Sequence, residues 1–169
     1  MRNCFVLLML CFNLSLVAQS KPDLSELSVQ LNKFISDTNN NFLTFKGSVK
    51  EIIGDTIYSS TLHLAGTLTT EIWVARSDTN FVYADIDTML TKQEASSIVM
   101  KWKNYLKKIL PQTFKVEPFT MNTSWFNTNG YTFNNHNLHI TVAYSNDARH
   151  VYELKKKKTY YIALMIGKN

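Results

Sequence analysis

Both cysteines of this 169-residue chain, Cys4 and Cys11, lie within its first 18 residues. That segment opens with Arg2, continues as an apolar run and ends in small residues around Ala18. Such a layout is typical of a secretory signal peptide, with cleavage expected after Ala18 or after Ser20. The apolar run is short for a membrane span, so an uncleaved anchor and a lipid anchor at Cys11 are the less favoured alternatives.

Cleavage leaves a mature chain without cysteines, which excludes disulfides, thiolate metal sites and a cysteine nucleophile. Removal of 18 residues from 169 leaves 151, and a chain of that size buries about 68–70% of its unfolded surface without cross-links. Exported domains with thinner cores commonly depend on disulfides. We therefore expect a bacterial protein that is secreted or periplasmic, with no transmembrane span after signal cleavage.

The formal net charge is +5 and the isoelectric point about 9.1. This mild positive charge favours anionic partners such as lipid head groups or polysaccharide. One charge run stands out, formed by Lys155, Lys156, Lys157 and Lys158. It is either a solvated hairpin tip that protects a sheet edge or a patch for an anionic surface, whose binding would be sensitive to salt. Because no other basic cluster is present, nucleic acid is not an expected partner.

Two segments have the periodicity of amphipathic helices. The first should run from Leu24 to near Asp37, and its apolar stripe consists of Leu24, Leu27, Leu31, Phe34 and Ile35. The second should begin at the capping box Thr91-Lys92-Gln93-Glu94 and end before Pro111. Its stripe consists of Ala95, Ile98, Val99, Trp102, Tyr105, Leu106 and Ile109.

The remaining segments favour strands. Alternating or β-branched runs predict strands at 57–64, 68–75, 81–86, 113–117, 125–128, 131–134, 138–144, 150–155 and 160–166. Asn129-Gly130 falls between two of these runs and predicts a two-residue hairpin turn. In that hairpin Phe126 would lie opposite Phe133.

These elements predict an α+β fold: one antiparallel sheet with two amphipathic helices on one face, forming a single domain over residues 22–167. Thr44-Phe45-Lys46 and Thr113-Phe114-Lys115 follow the two helices at matching places, which suggests tandem α-β repeats over 22–88 and 91–166. The layout resembles that of the β-lactamase-inhibitor proteins, exported inhibitors built from tandem α-β repeats, although no motif of that family is present. The resemblance is one of layout alone.

Residues 118–137 are unusual because aromatic side chains alternate with Asn, Thr and Ser and no Lys or Arg occurs. An aromatic ring can cover the apolar face of a sugar while neighbouring amides bind its hydroxyls, and aromatic side chains also anchor protein interfaces. The candidate binding residues are Phe119, Trp125, Phe126, Asn127 and Tyr131. The alternative is that the pair Phe126 and Phe133 only stabilises the hairpin.

No catalytic or metal site is predicted. His136 and His139 supply at most two zinc ligands where three or four are needed, and Asp85 and Asp87 form a single carboxylate pair on a strand. Nucleophile motifs, phosphate loops and dinucleotide fingerprints are absent from the sequence. The function expected first is a non-enzymatic protein–protein interaction module, including an inhibitor or immunity-like protein, without a cofactor.

Two other functions stay open. One is a carbohydrate-binding module that uses the aromatic and asparagine-rich hairpin. The other is a hydrolase whose site is assembled from residues scattered along the chain. The expected partner is a protein or glycan of the cell envelope, and the sequence does not determine the oligomeric state.

Overall fold

A computed structural model describes residues 21–75, 80–123, 127–146 and 159–169. Several predictions fall on other residues: the signal peptide at 1–18, the strand at 150–155, and the candidate residues Trp125, Phe126 and Lys155 to Lys158. They lie outside the described residues and stay predictions.

Within the described chain, two helices and eight strands form an α+β fold. The elements are α1 (Leu24–Ser36), β1 (Lys46–Ile53), β2 (Asp55–Ser60), β3 (Glu71–Val74), β4 (Asn80–Leu90), α2 (Lys92–Ile109), β5 (Lys115–Asn122), β6 (Asn127–Asn134), β7 (Leu138–Asn146) and β8 (Tyr160–Lys168). The strands form one antiparallel sheet in the order β1-β2-β3-β4-β8-β7-β6-β5. This confirms the prediction of an α+β fold with an antiparallel sheet. Neither described helix has the length and apolar character of a membrane span.

Both helices begin at side chains that satisfy free backbone N–H groups. Asp23 Oδ1 accepts hydrogen bonds from the backbone N–H of Ser25 at 2.8 Å and of Glu26 at 3.2 Å. At α2, Thr91 Oγ1 accepts from the backbone N–H of Glu94 at 3.3 Å, while Glu94 Oε2 accepts from that of Thr91 at 2.8 Å. The predicted capping box is therefore confirmed.

A single hydrophobic core cluster contains the buried residues of both helices together with one side of the sheet. The helices contribute Leu27, Leu31 and Phe34 from α1 and Ala95, Val99, Trp102 and Leu106 from α2. A row of paired residues carries the core across five strands: Ile72, Val82, Ile166, Ile140 and Phe133. We call the face that bears this row the core face. Because side chains alternate along a strand, the residues between them lie on the opposite side, the far face.

The structure differs from the sequence-based prediction at β6. Asn129 and Gly130 lie in the middle of this strand, which pairs along its length with β5 on one side and β7 on the other. The two strands of the β5–β6 hairpin end instead at Asn122 and Asn127, which pair with each other. The prediction of a turn at Asn129-Gly130, and of an aromatic and asparagine-rich hairpin built on it, is therefore wrong.

Position 130 is occupied by glycine because β7 lies too close for a side chain, not because the chain turns there. Positive φ is found at Gly54 and Gly66 among the described glycines, not at Gly130. A Cβ atom at Gly130 would lie 2.1 Å from the carbonyl oxygen of Val142 in β7. Phe133 pairs with Val116 of β5, so the expected pairing with Phe126 is also wrong.

The edge strands were the least visible in the sequence. β1 was not predicted because its polar residues interrupt the alternation, and it carries two register irregularities against β2. β5 forms the opposite edge and contains Pro118, a residue that sheets tolerate at edges because it lacks a backbone N–H.

Candidate functional site

Strand alternation divides the candidate binding residues between the two faces. Tyr131 and Asn127 lie on the core face of β6, in step with buried Phe133. Phe119 pairs with Gly130 and lies on the far face of β5. Asn127 and Tyr131 thus share the core face of β6, and Phe119 lies on the opposite face of the sheet.

The far face carries an aromatic patch that the sequence analysis did not single out. Trp73 of β3 contacts Phe81 and Tyr83 of β4, with ring centroids 5.5 Å and 5.3 Å apart. The indole Nε1–H of Trp73 donates to Glu71 Oε2 at 3.0 Å, and Glu71 also forms an ion pair with Lys50. The three rings are half-buried and do not belong to the core cluster. The alternation within 71–74 and 80–86 indicates that these aromatic residues share one face of the sheet. It does not indicate which face of the sheet the helices leave uncovered.

Beside this patch the far face is lined by short side chains. Two cross-strand hydroxyl pairs lie there: Thr132 with Thr141 at 2.8 Å, and Thr128 with Ser145. These four side chains are buried and bond to each other. The row between the two pairs has the smallest side chains of the sheet, Gly130, Ala143 and Ala163. This row ends at Phe119 of β5 on one side and at Asp85 of β4 on the other.

On the opposite side of the sheet, an open groove of about 700 Å³ runs between the first half of α2 and β7. We call it the α2 groove; its lining consists of Lys92, Gln93, Ser96, Ser97, Met100, Lys101, Asn104 and Tyr144. The ring of Tyr144 meets that of Tyr160 edge-on, with centroids 5.8 Å apart. This contact holds Tyr144 in place.

The core face of β6 lies next to Tyr144, the residue of β7 that lines the groove. Tyr144 pairs with Asn129, and Tyr131 is its diagonal neighbour because it pairs with Val142. Lys103 of α2 holds its ammonium 3.9 Å from the centre of the Tyr131 ring, a cation–π contact. Tyr131, a candidate from the sequence, therefore lies beside the groove, under a lysine.

Among the described residues, the carboxyl groups with a clearly shifted pKa belong to the helix caps. The Thr91 hydroxyl and backbone N–H donate to Glu94 and lower the pKa of its carboxyl group. The Ser25 side chain, with the backbone N–H groups of Glu26 and Ser25, lowers the pKa of Asp23 in the same way. Both carboxylates are fully exposed, so these shifts reflect helix capping and not the chemistry of a pocket.

His139 and Asp85, which were weighed as ligands, have structural partners, and so does His63. His139 Nδ1 lies 3.1 Å from Asn169 Oδ1, and His63 Nδ1 lies 3.4 Å from the Thr70 hydroxyl. Asp85 accepts a hydrogen bond from the Thr69 hydroxyl at 2.9 Å. Across the described part of the chain, no three His, Cys, Asp or Glu side chains are grouped so that they could hold a metal ion.

Comparison with known proteins identifies no relative: no protein-family model, no curated protein and no solved structure matches this chain. The two surfaces described above are therefore interpreted from their own geometry.

Proposed function

We propose that this is an exported, non-enzymatic binding protein whose far face receives a protein partner. The contact between Trp73, Phe81 and Tyr83 carries the proposal, because these rings cluster outside the core of the described chain. Tryptophan and tyrosine supply a large share of the binding energy at protein interfaces. An inhibitor or immunity-like protein would be one case of this function.

The proposal depends on both helices covering the core face. Their membership of one core cluster supports this arrangement, which leaves the far face without a helix among the described elements. The order of elements also supports tandem α-β repeats: a helix and four strands occur twice, and β4 meets β8 at the centre of the sheet. The single domain over residues 22–167 is proposed on the same grounds.

Export is proposed from the N-terminal segment alone. We expect protein recovered from the periplasm or the medium to begin at Gln19 or Lys21. N-terminal sequencing of that protein tests this directly, and a chain that keeps Met1 would contradict cleavage.

The partner surface is tested with tagged mature protein and its Trp73→Ala variant. We expect the wild-type protein to recover a stoichiometric partner from its own cell envelope, which mass spectrometry identifies. Affinity for the purified partner should then fall about 30-fold or more in the variant, the loss typical of a central interface residue. Val29→Ala is the matched control, because Val29 is an exposed apolar residue of α1.

Two results would contradict this assignment of the partner surface. If Trp73→Ala folds, as shown by an unchanged cooperative melt, and binds the partner like wild type, the aromatic patch is not the partner surface. A comparable loss in Val29→Ala would place the surface elsewhere on the molecule.

A further inference from the structure

We propose that the α2 groove is a second binding site and that its ligand is an acidic polysaccharide. The groove opens beside the core face of β6 and β7, so it lies on the opposite side of the sheet from the aromatic patch. The two sites can therefore be tested separately, and neither proposal depends on the other.

The charge of α2 indicates an anionic ligand. Its sequence, KQEASSIVMKWKNYLKKI, has five lysines and one glutamate. Lys92 and Lys101 line the groove, and Lys103 of the same helix lies over the ring of Tyr131. No described carboxylate lies within 4 Å of any of these three lysines. The charges of Lys92 and Lys101 can thus meet a carboxylate or sulfate of the ligand.

The uncharged groups of the site suit a ligand rich in hydroxyls. Asn104 lines the groove, and Asn129 lies beside Tyr144 on the neighbouring strand. Within the described residues no hydrogen bond occupies either side-chain amide, and each amide offers both donors and an acceptor. Tyr144, in the groove lining, adds aromatic surface for the apolar face of a sugar ring.

The same lining argues against the other anionic ligands. Met100, 43% exposed, is the one aliphatic side chain in the lining of the groove. A peptide bound in a groove anchors itself through several apolar side chains, and a helix that lies on a membrane presents a broad apolar face to it. A hydroxylated, negatively charged chain makes use of the lysines, the amides and Tyr144 together.

The binding test uses the mature protein and three polysaccharides: polygalacturonate, dextran sulfate and neutral dextran. We expect binding to the two acidic chains and none to dextran, measured by isothermal titration calorimetry. Binding should weaken between about 0.05 and 0.5 M salt, because salt screens the lysine charges. Trp73→Ala should bind the acidic chains like wild type, which separates this site from the protein-binding surface.

Three variants locate the site. Lys101→Ala should weaken binding about tenfold through loss of a charge-assisted hydrogen bond, and Asn129→Ala about fivefold through loss of a neutral one. Lys33→Ala is the matched control, since Lys33 is an exposed lysine in the last turn of α1. It removes the same charge away from the groove and should leave the affinity unchanged.

Four results would overturn the proposal. The first is no binding to either acidic polysaccharide. The second is polyglutamate binding that is as tight as polysaccharide binding and indifferent to Asn129→Ala, which would indicate an acidic protein segment. The third is binding to phosphatidylglycerol vesicles alone, which would indicate a membrane surface. The fourth is an equal loss in Lys33→Ala and Lys101→Ala, which would reduce the effect to net charge.

Discussion

Replacing Gly130 by alanine should be among the most damaging single-methyl additions to the sheet. The new Cβ would lie 2.1 Å from the Val142 carbonyl oxygen and 2.5 Å from the Ala143 Cα, both backbone atoms of β7. Since backbone cannot rotate away as a side chain can, β6 and β7 must separate at this point. Overpacking of this kind costs about 1–3 kcal/mol, and we expect the upper end of that range.

Two other glycines provide matched controls. At Gly167 the new Cβ would meet the ring atoms of His139 at 2.6 Å, and a side chain can turn away, so we expect a loss below about 1 kcal/mol for Gly167→Ala. A Cβ atom added at Gly54 would have no atom of the described residues within 4 Å, but φ is +84°. Gly54→Ala should therefore cost about 1 kcal/mol from backbone strain alone.

Urea unfolding of the mature protein, followed by circular dichroism, measures the three variants on one scale. With an m-value of about 2 kcal/mol per M, a loss of about 3 kcal/mol lowers the midpoint by about 1.5 M. The expected order of destabilisation is Gly130→Ala, then Gly54→Ala, then Gly167→Ala. A Gly130→Ala variant no less stable than Gly167→Ala would refute the close approach of β7.

Three further predictions concern stability, the first two measured by urea unfolding and the third by thermal unfolding at different pH values. Asn129→Val should leave the free energy of unfolding unchanged or slightly higher because valine suits a strand interior, whereas a turn with positive φ would make it destabilising. Thr91→Ala should cost about 1 kcal/mol through loss of the α2 cap, and no loss would contradict the capping box. The lowered pKa of Glu94 means that its carboxylate stabilises the fold above pH 4.5, its ordinary value, and that this contribution is lost as the pH falls through the lower folded-state pKa. Glu94→Gln should therefore flatten the fall of Tm with pH below 4.5, and a fall as steep as that of wild type would contradict this.

The helices show how far local sequence patterns reach in this chain. Thr91 and Glu94 are three residues apart, so their reciprocal hydrogen bonds depend on nothing beyond the first turn of α2. The stripe that includes Val99, Trp102 and Leu106 likewise follows from helical periodicity, and these residues are buried as expected. Capping and periodicity are short-range properties, and a single chain displays them directly.

The candidate sites show where local patterns failed. Asn129-Gly130 is a strong turn signal, yet contacts with β5 and β7 on both sides hold it in a strand. A turn preference involves two residues, whereas the ladders of β6 involve its whole length and outweigh it. The same ladders placed Tyr131 under Lys103 and Phe119 on the other face.

The sequence by itself determined the helix limits at their caps, the apolar stripe of α2 and the alternation that makes each strand two-sided. Only the tertiary structure decided the order of the strands and so the position of both surfaces. β4 pairs with β8 through residues as distant in sequence as Val82 and Ile166. This pairing depends on which strands place their apolar residues in the core that they share with the helices. Trp73, Phe81 and Tyr83 meet on the far face, and Tyr144 and Asn129 meet beside α2, because the sheet assembled in that order.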